Sequence, residues 1–243
     1  MRDVLKKKGL QYSGIGQLMW PLIKNPAPVA ILFILWGILI YSNTFNAPFH
    51  YDDYIQIVEN PGIQWEELSW GNFNKLFSID RPVAHLTFAL NYYFNGLDVS
   101  GYHYVNIGIH IITAFVLFLF LKTVLTLSHI DQKIRDKNCE IAFIASFLWL
   151  TSPIQIQAVT YIVQRMAALA AMFYISAVYF YLKGRLSLDS KSYLFYILAV
   201  GFALLALGSK QNAVTLPFFL LLLEVLVINK GNAAFLFKEK QVF

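Results

Sequence analysis

The amino-acid sequence predicts an all-α protein that crosses a membrane several times. Hydrophobic residue types make up 58% of the 243 residues and charged types only 14%, whereas a soluble domain carries roughly a quarter charged residues. Apolar runs long enough to span a bilayer recur along the chain. This composition excludes a disordered chain and a soluble globular enzyme. The single cysteine, Cys139, excludes an internal disulfide framework.

Six spans are expected, because a spanning helix needs about 20 mostly apolar residues. The run 141–182 is too long for one crossing. Pro153 divides it, since proline lacks a backbone N–H and disfavours helix at the preceding residue. The first apolar run is too long and too far from Met1 for a cleaved signal peptide, so it is interpreted as a retained span. The predicted spans are about 27–46, 102–122, 140–152, 165–183, 193–208 and 212–229.

The basic residues predict the orientation of these spans. With the N-terminus inside, 15 of the 19 lysines and arginines lie on the inner side. The four outer ones are Lys75, Arg81, Arg165 and Lys210. Positive charge is enriched on the cytoplasmic side of membrane proteins, so both termini are expected in the cytoplasm, with a bacterial inner membrane favoured over the endoplasmic reticulum. Because the basic residues sit in short loops between apolar runs, a nucleic-acid partner is disfavoured.

One outer segment, residues 47–101, is much longer than the other outer loops. Two stretches inside it are expected to form short interfacial helices. Gln64–Leu76 is amphipathic and suited to a membrane surface. Arg81–Asn95 carries a proline at a first-turn position, which favours helix initiation.

Polar groups at the outer edge of the spans are candidates for function, because charge near a bilayer is costly. Asp52 and Asp53 follow the first span directly. Two adjacent carboxylates at a low-dielectric boundary are expected to include one with a raised pKa, and such a carboxylate can act as a general base on a hydroxyl. The alternative interpretation is a turn acid or a helix cap.

Two basic clusters lie on the same side. Arg81 and His85 are four residues apart and share a helix face, and arginine suits bidentate phosphate binding. The alternative is an interfacial arginine that extends towards water. Lys210 lies at the outer junction of the last two spans and can pair with a phosphate or a carboxylate. Its alternative is an ordinary loop lysine.

A polar stripe is predicted beside Pro153. If the segment is one helix, its members fall at i, i+4, i+7 and i+8 on one face: Gln157, Tyr161, Gln164 and Arg165. Facing lipid would be expensive, so the stripe is expected to face protein or a wet cavity. The alternative is a set of interhelical hydrogen bonds.

The second span carries His103, Asn106 and His110 on one face. The two histidines lie about 10.5 Å apart along a helix axis, which a single zinc ion with bonds near 2 Å does not bridge. These residues are therefore expected to pack or to form hydrogen bonds. No metal site and no cofactor is predicted, and a requirement for a divalent metal stays open.

The clusters lie within four segments in a fixed order: FNAPFHYDDYIQIVENPGI, RPVAHLTFALNYYFNGLDVSGYHYVNIGIH, SPIQIQAVTYIVQRMAALAAMFY and SKQNAVTLP. Over roughly residues 40–225, their order and spacing resemble the membrane half of the TMTC-like proteins. Those proteins are polytopic glycosyltransferases of the C-type (GT-C) fold. They are related to protein O-mannosyltransferases and are often followed by tetratricopeptide repeats.

The resemblance implies an inverting glycosyltransferase that moves a sugar from a polyprenyl- or dolichyl-phosphate donor to a hydroxyl of a protein or glycan acceptor, at the periplasmic or lumenal face. It makes Asp52 and Asp53 the acidic pair, one of them the catalytic base. Donor-phosphate contacts are expected from three cations: Arg81, Arg165 and Lys210. Supporting polar residues are His85, Gln157, Tyr161, Gln164 and Gln211.

The chain departs from the family pattern in two places. Many relatives have His-Pro followed by Glu where this chain has Ser152-Pro153 and Gln157, and Ser-Lys-Glu where it has Gln211. The chain also shows fewer spans than the fold usually has, so it is expected to be a single membrane domain forming the N-terminal part of a larger GT-C module. Two other functions stay open: a non-catalytic membrane scaffold, and a transporter or flippase of lipid-linked sugar, since buried polar stripes also mark substrate paths.

Overall fold

A computed structural model describes residues 21–76 and 78–231, and every regular element within these ranges is helical. The α-helices are α1 (Pro26–Tyr41), α2 (Trp70–Leu76), α3 (Pro82–Asn95), α4 (Val99–Val124), α5 (Gln132–Arg135), α6 (Asn138–Leu150), α7 (Ile156–Thr160), α8 (Arg165–Leu186), α9 (Lys191–Ser209) and α10 (Leu216–Leu222). Short 3-10 or π-helical turns are Ser42–Thr44, Tyr54–Val58, Pro153–Gln155, Ile162–Gln164, Gln211–Thr215 and Leu223–Ile228. The predicted all-α class is confirmed.

Five helical segments are long and apolar enough to cross a membrane: Pro26–Thr44, Val99–Val124, Ile162–Leu186, Lys191–Ser209 and Gln211–Ile228. A sixth crossing is available if the bent pair Asn138–Leu150 and Pro153–Thr160, which meet at 49°, is counted as one span. The bend falls at Pro153, where the missing N–H predicts it. The protein is an integral membrane protein. The predicted cytoplasmic termini lie outside the described residues.

Helix starts follow the local sequence. The Asp98 carboxylate accepts the Ser100 backbone N–H at 3.0 Å and begins α4. The Asn25 side chain does the same for Ala27 at 3.1 Å and begins α1. Short polar side chains before a helix satisfy N–H groups that have no partner inside it.

The outer segment differs from its prediction in one place. The helix expected over Gln64–Leu76 covers only Trp70–Leu76. Gln64 donates from Nε2 to the Val58 carbonyl at 2.7 Å, and Trp65 donates from Nε1 to the Gly62 carbonyl at 3.0 Å. These side-chain bonds to backbone carbonyls favour a turn before Trp70 over a longer helix.

The helices pack around α4 and α8. Helix α8 contacts α9 and α4 most extensively, and α4 also packs against α6 and α1. The outer segment belongs to this core, because Ile57, Ile63 and Trp65 are buried together with Phe88 of α3 and Met166 of α8. Burial of apolar surface stabilises by roughly 25 cal/mol per Å². The outer segment is therefore fixed on the bundle, and its polar residues have fixed positions.

Candidate functional site

The acidic pair is attached to the break between α7 and α8. The Asp53 carboxylate is 1% exposed and accepts backbone N–H groups from His50 at 2.9 Å and from Val163 at 2.7 Å. The Asp52 side chain is exposed, and its backbone N–H donates to the Tyr161 hydroxyl at 3.0 Å. Two residues from the first outer segment thus bind two from the break, although 109 or more positions separate them in sequence.

The environment of Asp53 changes its proton affinity. Burial raises the pKa of this carboxyl above its ordinary 3.8, and the two backbone N–H groups offset part of that effect. The expectation that one member of the pair has a raised pKa agrees with this direction. The cause is desolvation, which disfavours the ionised form.

Arg165 lies inside the bundle and is fully buried. Its guanidinium donates to Asn106 Oδ1 at 2.7 Å, to the Tyr102 carbonyl at 2.9 Å and to the Thr87 carbonyl at 3.2 Å. It also lies over the Phe88 ring, 4.6 Å from the centroid. The prediction that Arg165 contacts the donor phosphate does not fit this arrangement, because protein acceptors and rings already surround its donors.

Asn106 of α4 compensates for the break in the backbone. The chain leaves helical geometry at Tyr161 (φ −82°, ψ 111°). The Asn106 amide nitrogen lies 3.2 Å from the Val159 carbonyl and 3.3 Å from that of Ile162, while its oxygen accepts from Arg165. At membrane depth such carbonyls have no water to bind. The sequence placed Asn106 on the polar face of α4, but gave no sign that Arg165 is its partner.

The two histidines of α4 also form hydrogen bonds to backbone carbonyls of other segments. His103 Nε2 lies 2.9 Å from the Ala47 carbonyl, which follows the first span, and His110 Nε2 lies 2.9 Å from the Leu150 carbonyl at the end of α6. A carbonyl only accepts, so Nε2 carries the proton in both rings. The predicted hydrogen-bonding role is confirmed. Within residues 21–76 and 78–231, no three His, Cys, Asp or Glu side chains are grouped to hold a metal ion.

The predicted polar stripe is not a helix face. Helix α7 ends at Thr160 and α8 begins at Arg165. Gln157 is exposed and Gln164 half-buried, whereas Arg165 is buried. The physical reason is that the backbone of this segment bonds to side chains of other elements, so the regular i to i+4 pattern is interrupted between Thr160 and Arg165.

Arg81 lies at the edge of the bundle. Its Nε donates to Gln211 Oε1 at 3.1 Å, and Nη1 lies 3.4 Å from the Met166 sulfur. Its backbone is left-handed, with φ 58°, directly before Pro82. This conformation costs a non-glycine residue about 1–2 kcal/mol. Backbone strain of this kind concentrates at functional sites.

A close approach of two helices brings Arg81 and Gln211 together. A Cβ placed on Gly208 would lie 2.7 Å from Val83 Cγ2, so glycine lets α9 approach α3. Lys210 follows, half-buried at the end of α9. His85 is buried one turn into α3. Burial and the Arg81 charge lower the pKa of its ring, which favours neutral imidazole.

The acidic and basic groups flank the same helix start. Val163 binds Asp53, and Met166, three residues later, contacts Arg81. Val163 lies in the 3-10 turn Ile162–Gln164, which leads directly into α8. The structure therefore brings together the first outer segment, the start of α3, the start of α8 and the end of α9. Arg165 lies beneath this surface.

The fold and this group of residues define a class: a multi-pass helical membrane protein with an acidic pair and partly exposed cations at one end of its helices. Human Protein O-mannosyl-transferase TMTC1 is 31% identical over 227 residues, covering 88% of this chain and 22% of the relative. Protein O-mannosyl-transferase tmtc2 of Xenopus laevis is 30% identical over 223 residues, 85% of this chain and 25% of the relative. The Caenorhabditis elegans Protein O-mannosyl-transferase F38B6.6 is 29% identical over 201 residues, which cover 77% of this chain and 26% of the relative.

The chain is therefore TMTC-like, as the sequence motifs predict. It spans about a quarter of the length of these relatives. It matches no model of a protein family. No solved structure matches it.

Proposed function

We propose that this chain supplies part of the active site of a glycosyltransferase that moves a sugar from a polyprenyl- or dolichyl-phosphate donor to a hydroxyl of a protein or glycan acceptor. The relatives are named protein O-mannosyl-transferases, which favours mannose and a protein acceptor. One observation carries the proposal: Asp52 presents an exposed carboxylate from a backbone that Tyr161 and Asp53 hold beside the helix start that contacts Arg81.

The two aspartates take different roles in this proposal. Both oxygens of Asp53 already accept backbone N–H groups, and the side chain is buried, so Asp53 is a positioning residue that holds the loop on Val163. Asp52 is exposed and is the catalytic base. It accepts the proton of the acceptor hydroxyl as that oxygen attacks the sugar.

In this proposal the basic residues neutralise the negative charge of the departing lipid phosphate. As the new carbon–oxygen bond forms, the bond between the anomeric carbon and the donor phosphate oxygen breaks, and the lipid phosphate leaves with the electron pair. Arg81 and Lys210 are the proposed contacts of that phosphate, since charge-assisted hydrogen bonds to phosphate are strong. Attack from the side opposite the leaving group inverts the anomeric centre. Arg165 positions the surface from below.

The proposed site lies at the end of the helices away from most lysines, so we assign it to the periplasmic or lumenal face. A bacterial inner membrane is the proposed location. A full GT-C module has further helices, which we propose correspond to the part of the relatives' length that this chain does not match. Residues 1–243 would then be the N-terminal membrane part of that module.

The test is transfer of labelled mannose from a polyprenyl-phosphate donor to an acceptor peptide, by the purified chain or its parent. Asp52→Asn should lower turnover by about 10²–10⁴-fold with an unchanged thermal midpoint. Glu59→Gln, which removes an exposed carboxylate from the same segment, is the matched control and should keep full turnover. Equal turnover by wild type and the double variant Asp52→Asn, Asp53→Asn excludes the proposed base.

The second candidate is a scaffold that keeps the fold without transfer. It is favoured by Gln211, which gives Arg81 a neutral partner where many relatives have Glu. A donor analogue distinguishes the two functions, because a ligand that binds the folded state raises its stability. A scaffold predicts no change in thermal midpoint with the analogue.

A further inference from the structure

A polar cavity lies at the end of the helices opposite to the acidic pair. It has a volume of about 450 Å³ and lies between the ends of α4 and α8 and the start of α9, within the range of roughly 300–1,000 Å³ typical of ligand sites. Its cations are Lys122 and Lys183, and three hydroxyl side chains complete the polar lining: Thr123, Thr126 and Ser187.

The two lysines keep donors available. Lys122 Nζ donates to the Lys24 carbonyl at 3.1 Å and lies 5.9 Å from the Phe118 ring centroid. An ammonium carries three donors, so two are left for a ligand. Lys183 Nζ lies 5.7 Å from the Phe195 ring centroid. Neither lysine forms an ion pair with a carboxylate in the described part of the chain.

A neighbouring arginine, unlike the two lysines, is neutralised by a carboxylate. Arg185, two residues after Lys183 on α8, pairs with Glu224 at 2.5 Å, and Tyr181 donates to the same carboxylate oxygen at 2.6 Å. That carboxylate also accepts from Asn229 at 3.1 Å. Glu224 is thus engaged by Arg185, and the residues that line the cavity include two lysines and no carboxylate, so the lining carries net positive charge.

The apolar residues that line the cavity indicate that its ligand has an apolar part as well as a negative charge. Leu119, Tyr179, Leu186 and Phe195 provide apolar surface beside the lysines. The lysines stand in the last turns of α4 and α8, at the level where a bilayer meets water. Lysines near helix ends also interact with the last carbonyls, but that role does not require the cavity between the helices. Basic pockets between membrane helices bind anionic lipid headgroups.

We propose that this cavity binds the phosphate of an anionic membrane lipid, with Lys122 and Lys183 as the charged contacts, the Ser187 hydroxyl as a further donor and the acyl chain along the apolar walls. The site is independent of the proposed transferase site, which lies at the other ends of α4 and α8.

The experiment measures binding of phosphatidylglycerol and phosphatidylcholine to the purified protein in detergent, by native mass spectrometry and thermal midpoint. Phosphatidylglycerol should bind more tightly, and Lys122→Gln with Lys183→Gln should weaken it by about tenfold or more. The double variant Lys133→Gln, Lys191→Gln removes two exposed lysines outside the cavity and should bind as wild type does.

Each remaining outcome is decisive. The variant Lys122→Arg, Lys183→Arg keeps the charge and should keep binding, which separates a loss of ligand from a loss of fold. Equal loss in the control pair shows general surface attraction and overturns the site. Protection by inorganic phosphate equal to that by phosphatidylglycerol overturns the lipid assignment and leaves a site for free phosphate.

Discussion

Arg165 and Arg81 lie close to the same helix start but in opposite environments. Arg165 is fully buried and donates to three protein acceptors. Arg81 is partly exposed and bonds one amide oxygen and one sulfur. Both are outer-side arginines in sequence, so the sequence predicts the same phosphate contact for each. The difference teaches that a cation is available to a ligand only when the protein has not already satisfied its donors.

The largest expected effect comes from making the same substitution in both environments. Arg165→Met leaves the buried Asn106 Oδ1 without its donor and removes the additional bonds to the Tyr102 and Thr87 carbonyls, and an unsatisfied buried group costs about 1–3 kcal/mol. We expect a loss of stability of that size and a clear fall in thermal midpoint. Arg81→Met is the matched control and should change stability by about 1 kcal/mol or less, as for exposed charges. Equal falls would remove the distinction between the two arginines.

The second effect concerns donor binding. Arg81→Gln removes a charged contact from the proposed phosphate site and should raise the KM for the lipid donor by about tenfold or more, with a smaller change in kcat. Arg81→Lys keeps the charge but loses the planar fork, so it should recover part of the affinity. Steady-state kinetics with a varied donor concentration measure both. An unchanged KM in both variants would place the phosphate elsewhere.

The third effect is the pH dependence of stability at Asp53. Its pKa is raised by burial, so the folded state holds this proton more tightly than the unfolded state. The stabilisation is fully present below the unfolded pKa and is lost as pH rises through the folded pKa. The thermal midpoint of wild type relative to Asp53→Asn should therefore decline as pH rises through that window. A difference that grows with pH would show a lowered pKa.

The smallest effect is expected from Gln211→Glu, which places a carboxylate beside Arg81. The Arg81 to Gln211 bond becomes an exposed ion pair, worth about 0.2–1 kcal/mol. Because the carboxylate competes with the donor phosphate for Arg81, donor affinity should fall a few-fold at low ionic strength and recover in salt. Gln211→Met is the neutral comparison. Tighter donor binding in the Glu variant would contradict this competition.

The sequence singles out both aspartates, but it does not predict that one is buried and the other exposed. Asp52 and Asp53 are identical neighbours in the chain, and only the contacts of Tyr161 and Val163 separate the exposed carboxylate from the buried one. The helix break at Pro153 was predicted from its missing N–H. The second break, at Tyr161, has no proline or glycine and gave no local signal.

The amino-acid order predicts the membrane class, the positions of the apolar helices and the polar face of α4, because hydropathy, proline and residue period act over a few neighbouring residues. The packed helices are needed to show which cation is buried, where α7 ends and which side chains meet. Those outcomes depend on bonds such as Arg165 to Asn106, which join residues 59 positions apart, and on the cost of leaving backbone groups unpaired in a medium without water.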